Sequence, residues 1–277
     1  MSAQPSEALA PIELIPEAPG FVVSVVRRLR SDPLGLLGLL IVLTVIVLAI
    51  IGPSIAPYSP FKIKVPERFM PPTLLALGVG GGSIAIALTI GLMLGLIAGY
   101  GPRWLDNFLM LLFDSIYSFP TVILGLTVMT LLGPSIPTLM FVVVVIQTPA
   151  YARLIRTATL ATKSSEYILA IRSLGSSPGR ILLVHILPNI IGPLFIVASM
   201  DIPSVIALEA GLTYLGLGIP PPTPSWGRIL QEGFESIRDA PWIVVAGGIP
   251  LILTTLGFTF LGESLRDLLD PKLRRIV

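Results

Sequence analysis

From Leu34 to Ile51 the chain reads LGLLGLLIVLTVIVLAII, eighteen consecutive residues without a charge. As a helix this run covers about 27 Å, close to the roughly 30 Å hydrocarbon thickness of a bilayer, so it predicts a transmembrane span. Backbone polar groups in hydrocarbon must be bonded within the spanning segment, which favours a helical bundle for a chain built of such runs. Composition agrees: hydrophobic residues make up 53%, charged residues 12%, and mean hydropathy is +0.90, whereas soluble domains are about one-quarter charged. The expected fold class is all-α, a polytopic transmembrane helical bundle.

Five more apolar stretches follow, at about Leu74 to Tyr100, Phe108 to Leu132, Pro137 to Ala152, Ile190 to Leu217 and Trp242 to Leu261. Six spans return both termini to one side. Lys and Arg decide which side, because cytoplasmic loops near spans are enriched in them. With the N-terminus inside, thirteen basic residues fall on the inner side, including Arg27, Arg28, Arg30, Arg153, Arg156, Lys163 and Arg180. The five on the outer side are Lys62, Lys64, Arg68, Arg228 and Arg238. Both termini are therefore expected in the cytoplasm. The chain divides into a tail (1–30), a first span (31–57), an outer loop (58–73), a core (74–265) holding a polar loop (162–189), and a closing tail (266–277). The first twenty residues, with three glutamates, four prolines and no basic n-region, read as a mobile tail and not as a cleavable leader.

Several chemistries are closed. There is no cysteine, hence no disulfide, thiolate metal site or cysteine nucleophile. His185 is the only histidine, which rules out a multi-histidine metal cage and suits a structural role beside Pro188. The run Gly80-Gly81-Gly82-Ser83 lacks a following lysine and sits in an apolar helix, so it is not a phosphate loop. A net charge of +2 without a basic stripe gives no support for nucleic-acid binding. Neither a catalytic residue nor a cofactor or metal site is expected in this chain. Gly91 and Gly95 form a GxxxG pair, which permits close helix approach and also matches the general abundance of glycine in membrane helices.

Between the fourth and fifth spans lies KSSEYILAIRSLGSSPGRILLVHILPNI, too polar to span and too patterned for a plain linker. Ser164 or Ser165 caps a short helix, Ile168, Leu169, Ile171 and Leu174 give it an apolar side, and Gly175 suits the left-handed position that ends it. Ser176 to Gly179 then turns the chain, and Arg180 to Leu187 leads into Pro188, a helix start or kink. A short helix held between two stiff spans can insert into a groove on a soluble partner. The same periodicity fits an interfacial helix without a partner.

Ionisable and polar residues within spans are functional candidates because their burial in lipid is costly. Asp114, ahead of Ser118-Phe119-Pro120, faces the bundle interior or snorkels at the inner surface. Gln147, before Thr148-Pro149, lines a path or bonds a neighbouring helix. Asp201 and Pro203 sit midway along the fifth span, where a carboxylate needs a partner or water. Glu209 lies further out, where it fixes helices or borders a path.

The segment EYILAIRSLGSSPGRILLVHILPN resembles the signature loop of binding-protein-dependent ABC importer permeases, with Ala170, Gly175, Leu187 and Pro188 at matching positions. Leu169 stands at the signature acidic position and Ile171 at its second alanine. Glu166-Tyr167 and His185-Ile186-Leu187-Pro188-Asn189 follow the form of the dipeptide, oligopeptide and nickel branch. DPLGLLGLLIVL, IAPYSP, LDNFLMLLFDSIYSFP, LEAGLTYLGLGIPPPTPSWGRIL and PWIVVAGGIPLILTTLGFTFLGESLRDLLDPKLRR resemble the same branch in order, so the likeness covers most of the chain from Arg30. One departure is that MPPT runs directly into LLALGVG, where the branch has roughly two dozen more residues after Pro72.

This resemblance implies a type I ABC importer permease fold with a cytoplasmic coupling helix, in the cell membrane of a prokaryote. The ATPase-docking surface would comprise Glu166, Tyr167, Ala170, Arg172, Ser173, Leu174, Gly175, Ser176, Ser177 and Arg180, with His185, Leu187, Pro188 and Asn189 forming the turn behind it. Asp114, Gln147, Asp201 and Glu209 are candidates for the path. The implied partners are a second and different permease, two cytoplasmic ATPases that use ATP and Mg, an extracytoplasmic binding protein and membrane lipid. The implied cargo is di- or oligopeptides, nickel or related small solutes. The rival reading is an autonomous ion-coupled carrier, against which stands the lack of an internal repeat. An intramembrane hydrolase of the metal-dependent kind would need an HExxH motif, which is absent.

Overall fold

The computed structural model describes residues 31–55, 72–221 and 223–267. The tail over 1–30, residues 56–71 of the outer segment, and the tail after Asp267 lie outside the described residues, as do their basic side chains. The described chain is all helical: α1 (Pro33–Ile55), α2 (Pro72–Tyr100), α3 (Arg103–Tyr117), α4 (Thr121–Leu132), α5 (Ile136–Lys163), α6 (Glu166–Ser173), α7 (Pro178–Tyr214), α8 (Trp226–Glu235) and α9 (Trp242–Asp267). Helices α1, α2, α5, α7 and α9 are each long and apolar enough to cross a membrane.

The expected third span is broken. Helices α3 and α4 meet at 87°, because Pro120 has no amide to continue the ladder and the Ser118 and Phe119 amides close α3 onto the Asp114 and Ile116 carbonyls. The twelve residues of α4 cover only about 18 Å, too short to cross alone. Counting the bent pair as one crossing gives six. Two boundaries also move. Helix α5 runs on to Lys163, which places Arg153 and Arg156 inside it, and α7 absorbs Arg180 to Pro188 into one helix of 37 residues.

Helices α2 and α5 form the central seam and run parallel. A Cβ on Gly91 would lie 2.7 Å from Tyr151 Cβ, one on Gly95 2.5 Å from the Ala152 carbonyl oxygen, and one on Gly99 2.7 Å from Thr159 Cβ. The GxxxG pair thus serves contact within this chain, where the missing side chains bring two backbones together. Leu88, Tyr151, Ile155, Ile190, Leu194 and Val205 pack beside it and join α7 to the seam.

Polar contacts fix the end of this seam nearest the α6–α7 loop. Lys163 Nζ donates to the Gly99 and Tyr100 carbonyls (3.4 and 3.2 Å) and stands 4.9 Å over the Tyr100 ring, so a cation from α5 caps the C-terminus of α2. Arg156 grips Asp106 of α3 with both arms, Nε to Oδ1 and Nη2 to Oδ2 at 2.6 Å. Their side chains are 29% and 13% exposed, so the pair is worth less than a fully buried one. Arg156→Ala is expected to cost about 2 kcal/mol by stranding Asp106. Thermal unfolding in detergent checks it, and Arg156→Ala with Asp106→Ala should recover part of the loss.

Candidate functional site

The α6–α7 loop carries the largest group of sequence-predicted site residues. Helix α6 is short, with Glu166 in its first turn and Arg172 in its last, each opposing the partial charge of its helix end. Ser165 occupies the N-cap position, yet its hydroxyl bonds back to the Thr162 carbonyl (2.6 Å) and does not cap the helix. Gly175 stops the helix at φ +81°, a conformation in which a side chain would be strained. The turn is tighter than expected and ends at Ser177, because Pro178 already opens α7 at the position where its missing amide costs nothing.

The expected apolar side of α6 divides in two. Ile168 is 2% exposed and Ile171 packs beside it, while Leu169 and Leu174 are 51% and 85% exposed. Three residues separate Ile168 from Ile171 and place them on one face, whereas Leu169 is rotated about 100° from Ile168. Ile168, Ile181 and Ile186 are buried in the same cluster as Tyr151 and Leu194, so the loop is anchored to the membrane core while its tip stands clear. Tyr167, Leu174, Leu183 and Val184 are exposed apolar side chains on this tip and its flank.

Behind the tip, residues Ile181–Ile186 form a π-helical turn. Pro188 cannot donate to the carbonyl four residues back and its ring crowds that position, so the ladder widens just ahead of it. Asn189 Nδ2 donates to the His185 carbonyl (2.7 Å) and to Tyr167 Oη (3.1 Å). This clamp ties α6 to α7 across the turn through the Asn189 side chain and the His185 backbone carbonyl.

A second polar group lies along the spans. Arg153 Nη2 pairs with Asp114 Oδ1 at 2.5 Å, and the guanidinium sits 4.7 Å over the Tyr117 ring. Tyr117, Tyr151 and Asp201 lie within one electrostatic neighbourhood. Gln147 is half-buried one turn before Tyr151. Glu209 stands apart at 1% exposure, accepts from Thr213 Oγ1 (3.0 Å), and through it supports the Ile219 amide (3.1 Å to Thr213 Oγ1). It holds the return loop after α7.

Comparison with known proteins decides the family. The binding-protein-dependent transport system inner membrane component matches residues 91–275, and the N-terminal TM domain of oligopeptide transport permease C matches residues 20–72. The chain belongs to the binding-protein-dependent transport system permeases. Among relatives, it is 32% identical to the dipeptide transport system permease protein DppC of Alkalihalophilus pseudofirmus, over 90% of this chain and 89% of that one. It is 37% identical to the glutathione transport system permease protein GsiD of Pectobacterium atrosepticum, over 75% and 69%. An inward-facing structure of the MetNI methionine ABC transporter superposes with a TM-score of 0.57 at 17% identity, covering 70% of this chain and 93% of that one, which shows the fold.

This permease is thus an inner-membrane component of an ABC transport system, and the bundle described above is its type I fold. The two family matches leave residues 73–90 between them, adjoining the place where the outer segment is expected to be short. Two features escaped the sequence reading. The amphipathic helix α8 was signalled by Ser225, whose Oγ accepts from the Arg228 amide (3.2 Å), followed by Trp226, Ile229 and Leu230 at helical spacing. Tyr117, Tyr151 and Arg153 gave no signal, because their meeting depends on the tertiary packing of α3, α5 and α7.

Proposed function

We propose that the permease pairs with a second, homologous permease around a shared path for di- or oligopeptides or related small solutes. Two cytoplasmic ATPases would dock beneath it and an extracytoplasmic binding protein would deliver the solute. ATP and Mg act at the ATPases, and this chain supplies no catalytic group. The names of its relatives support the peptide class. The excess of basic residues on one side supports a cytoplasmic loop and cytoplasmic termini. In the proposed division the core over 74–265 forms the path and the loop over 162–189 carries the motion, with Asp114, Gln147 and Asp201 facing the solute.

The observation that carries the docking role is mechanical. Leu174 is 85% exposed at the tip of a loop whose base is packed into the core through Ile168, Ile181 and Ile186. A groove on an ATPase that takes Leu174 and Leu169 would move the loop as a rigid lever, the helix-in-groove mode. The chain has no cysteine, so Ser173→Cys or Ser176→Cys provides a single attachment point for a crosslinker. Capture of an ATPase subunit in transporting membranes is the expected result. No capture at either position would sink the docking role, and uptake that survives ATP depletion while the ion gradient is held would favour the carrier.

A further inference from the structure

Asp201 is the fifteenth of the 28 residues Leu187–Tyr214, the middle of a membrane-crossing helix. Its side chain is half-buried, and among the described residues no Lys or Arg forms an ion pair with it. The nearby cation is already committed: Arg153 pairs with Asp114 and lies over Tyr117. Counting Asp114, Arg153 and Asp201, the cluster has one unbalanced negative charge. Tyr151 is 1% exposed, and its buried hydroxyl has the Asp201 carboxylate as its polar neighbour and no other partner among the described residues. Ser204 Oγ donates to the Asp201 backbone carbonyl (2.7 Å), leaving the carboxylate to other donors.

We infer that Asp201, backed by Tyr151 and Tyr117, is a mid-membrane station for the primary ammonium group of the transported solute. The inference rests on the importer reading above. A lone carboxylate in a span requires a cation or water, and the face is polar elsewhere too, with the Asp114 side chain 67% exposed. An ammonium offers three donors, and here the two Asp201 carboxylate oxygens can accept it, with the buried Tyr151 hydroxyl behind them and the Tyr117 ring adding a cation-attracting surface. A hard inorganic cation takes about six or more oxygens, more than this group supplies. A peptide's amino terminus brings the one positive charge that the cluster lacks.

The test uses the assembled transporter in proteoliposomes, with labelled dipeptide and its des-amino analogue, each at a concentration saturating the binding protein. Asp201→Asn should lower free-amine uptake about tenfold, as for a lost charge-assisted hydrogen bond, and Asp201→Glu should restore much of it. A second measurement does not depend on turnover. Ser204→Cys, one turn from Asp201 and exposed, is modified by a methanethiosulfonate reagent, and free-amine dipeptide should slow that reaction. The protection should vanish when Asp201→Asn is added. Unchanged uptake in Asp201→Asn, equal losses for both solutes, or protection that persists without Asp201 would overturn the inference and leave the importer reading standing. Absence of uptake by the unmodified transporter would overturn both.

Discussion

Gly95→Ala is expected to destabilise the chain by about 3 kcal/mol, the upper range for overpacking a tight core, while Gly78→Ala changes it by less than about 1 kcal/mol. The two substitutions add the same methyl group to the same helix. At Gly78 a Cβ meets nothing within 4 Å, whereas at Gly95 it would lie 2.5 Å from the Ala152 carbonyl oxygen and 2.7 Å from Ile155 Cβ. Backbone on the far side of the seam cannot rotate away as a long side chain does, so α2 and α5 must separate. Separation also disturbs Lys163 at the Tyr100 end and Tyr151 at mid-span. Thermal unfolding of the purified chain in detergent should show Gly95→Ala melting roughly 10 °C lower and Gly78→Ala near the unmodified protein. Equal melting temperatures would mean that the seam is looser than these distances require.

This seam shows how far sequence reading reached. Gly91 and Gly95 announced a close helix approach, but their spacing could not say whether the partner lay in this chain or another. That depends on which helix brings a facing surface of Tyr151, Ala152 and Ile155, a tertiary fact. The outer limits of the spans were legible because hydrocarbon imposes a length and excludes charge. The start of α9 at Trp242 was read correctly for that reason. The 87° break in the expected third span was signalled locally by Pro120, while its angle, and the tie of α3 to α5 through Asp106 and Arg156, are tertiary facts.

The loop was legible in its punctuation, while the single apolar side expected of α6 proved to be two. Gly175 and Pro188 constrain the backbone wherever they stand, so their positions translated directly into a positive φ and a widened turn. Leu169 and Leu174 are apolar and were read with Ile168 and Ile171 as one apolar side. Hydrophobicity alone could not show that they are left exposed, since an apolar residue reserved for another protein looks the same in sequence as one reserved for the core. The Asp201 cluster was half visible: the carboxylate stood out in an apolar run, while Tyr151 looked like ordinary core.

Leu174→Asp is expected to weaken ATPase docking by about fiftyfold or more and to remove most ATP-driven uptake, with the chain's own stability unchanged within about 0.5 kcal/mol. At 85% exposure the side chain contributes almost no core packing, so a structural role predicts no effect. If Leu174 enters an ATPase groove, the substitution forfeits about 2 kcal/mol of apolar burial and adds the cost of desolvating a carboxylate. Ile168→Asp provides the contrast: at 2% exposure it should fail through unfolding of the loop base, visible as lost thermal stability before any partner is added. Co-purification of ATPase subunits with each variant, alongside detergent melting curves, separates the two causes. A Leu174→Asp permease that melts normally and still retains its ATPases would place the docking contact elsewhere on the loop. Retention lost with melting unchanged identifies Leu174 as the point where the force generated by ATP hydrolysis enters the membrane bundle, to be carried through Ile168, Ile181 and Ile186 into the core that holds α5 and α7.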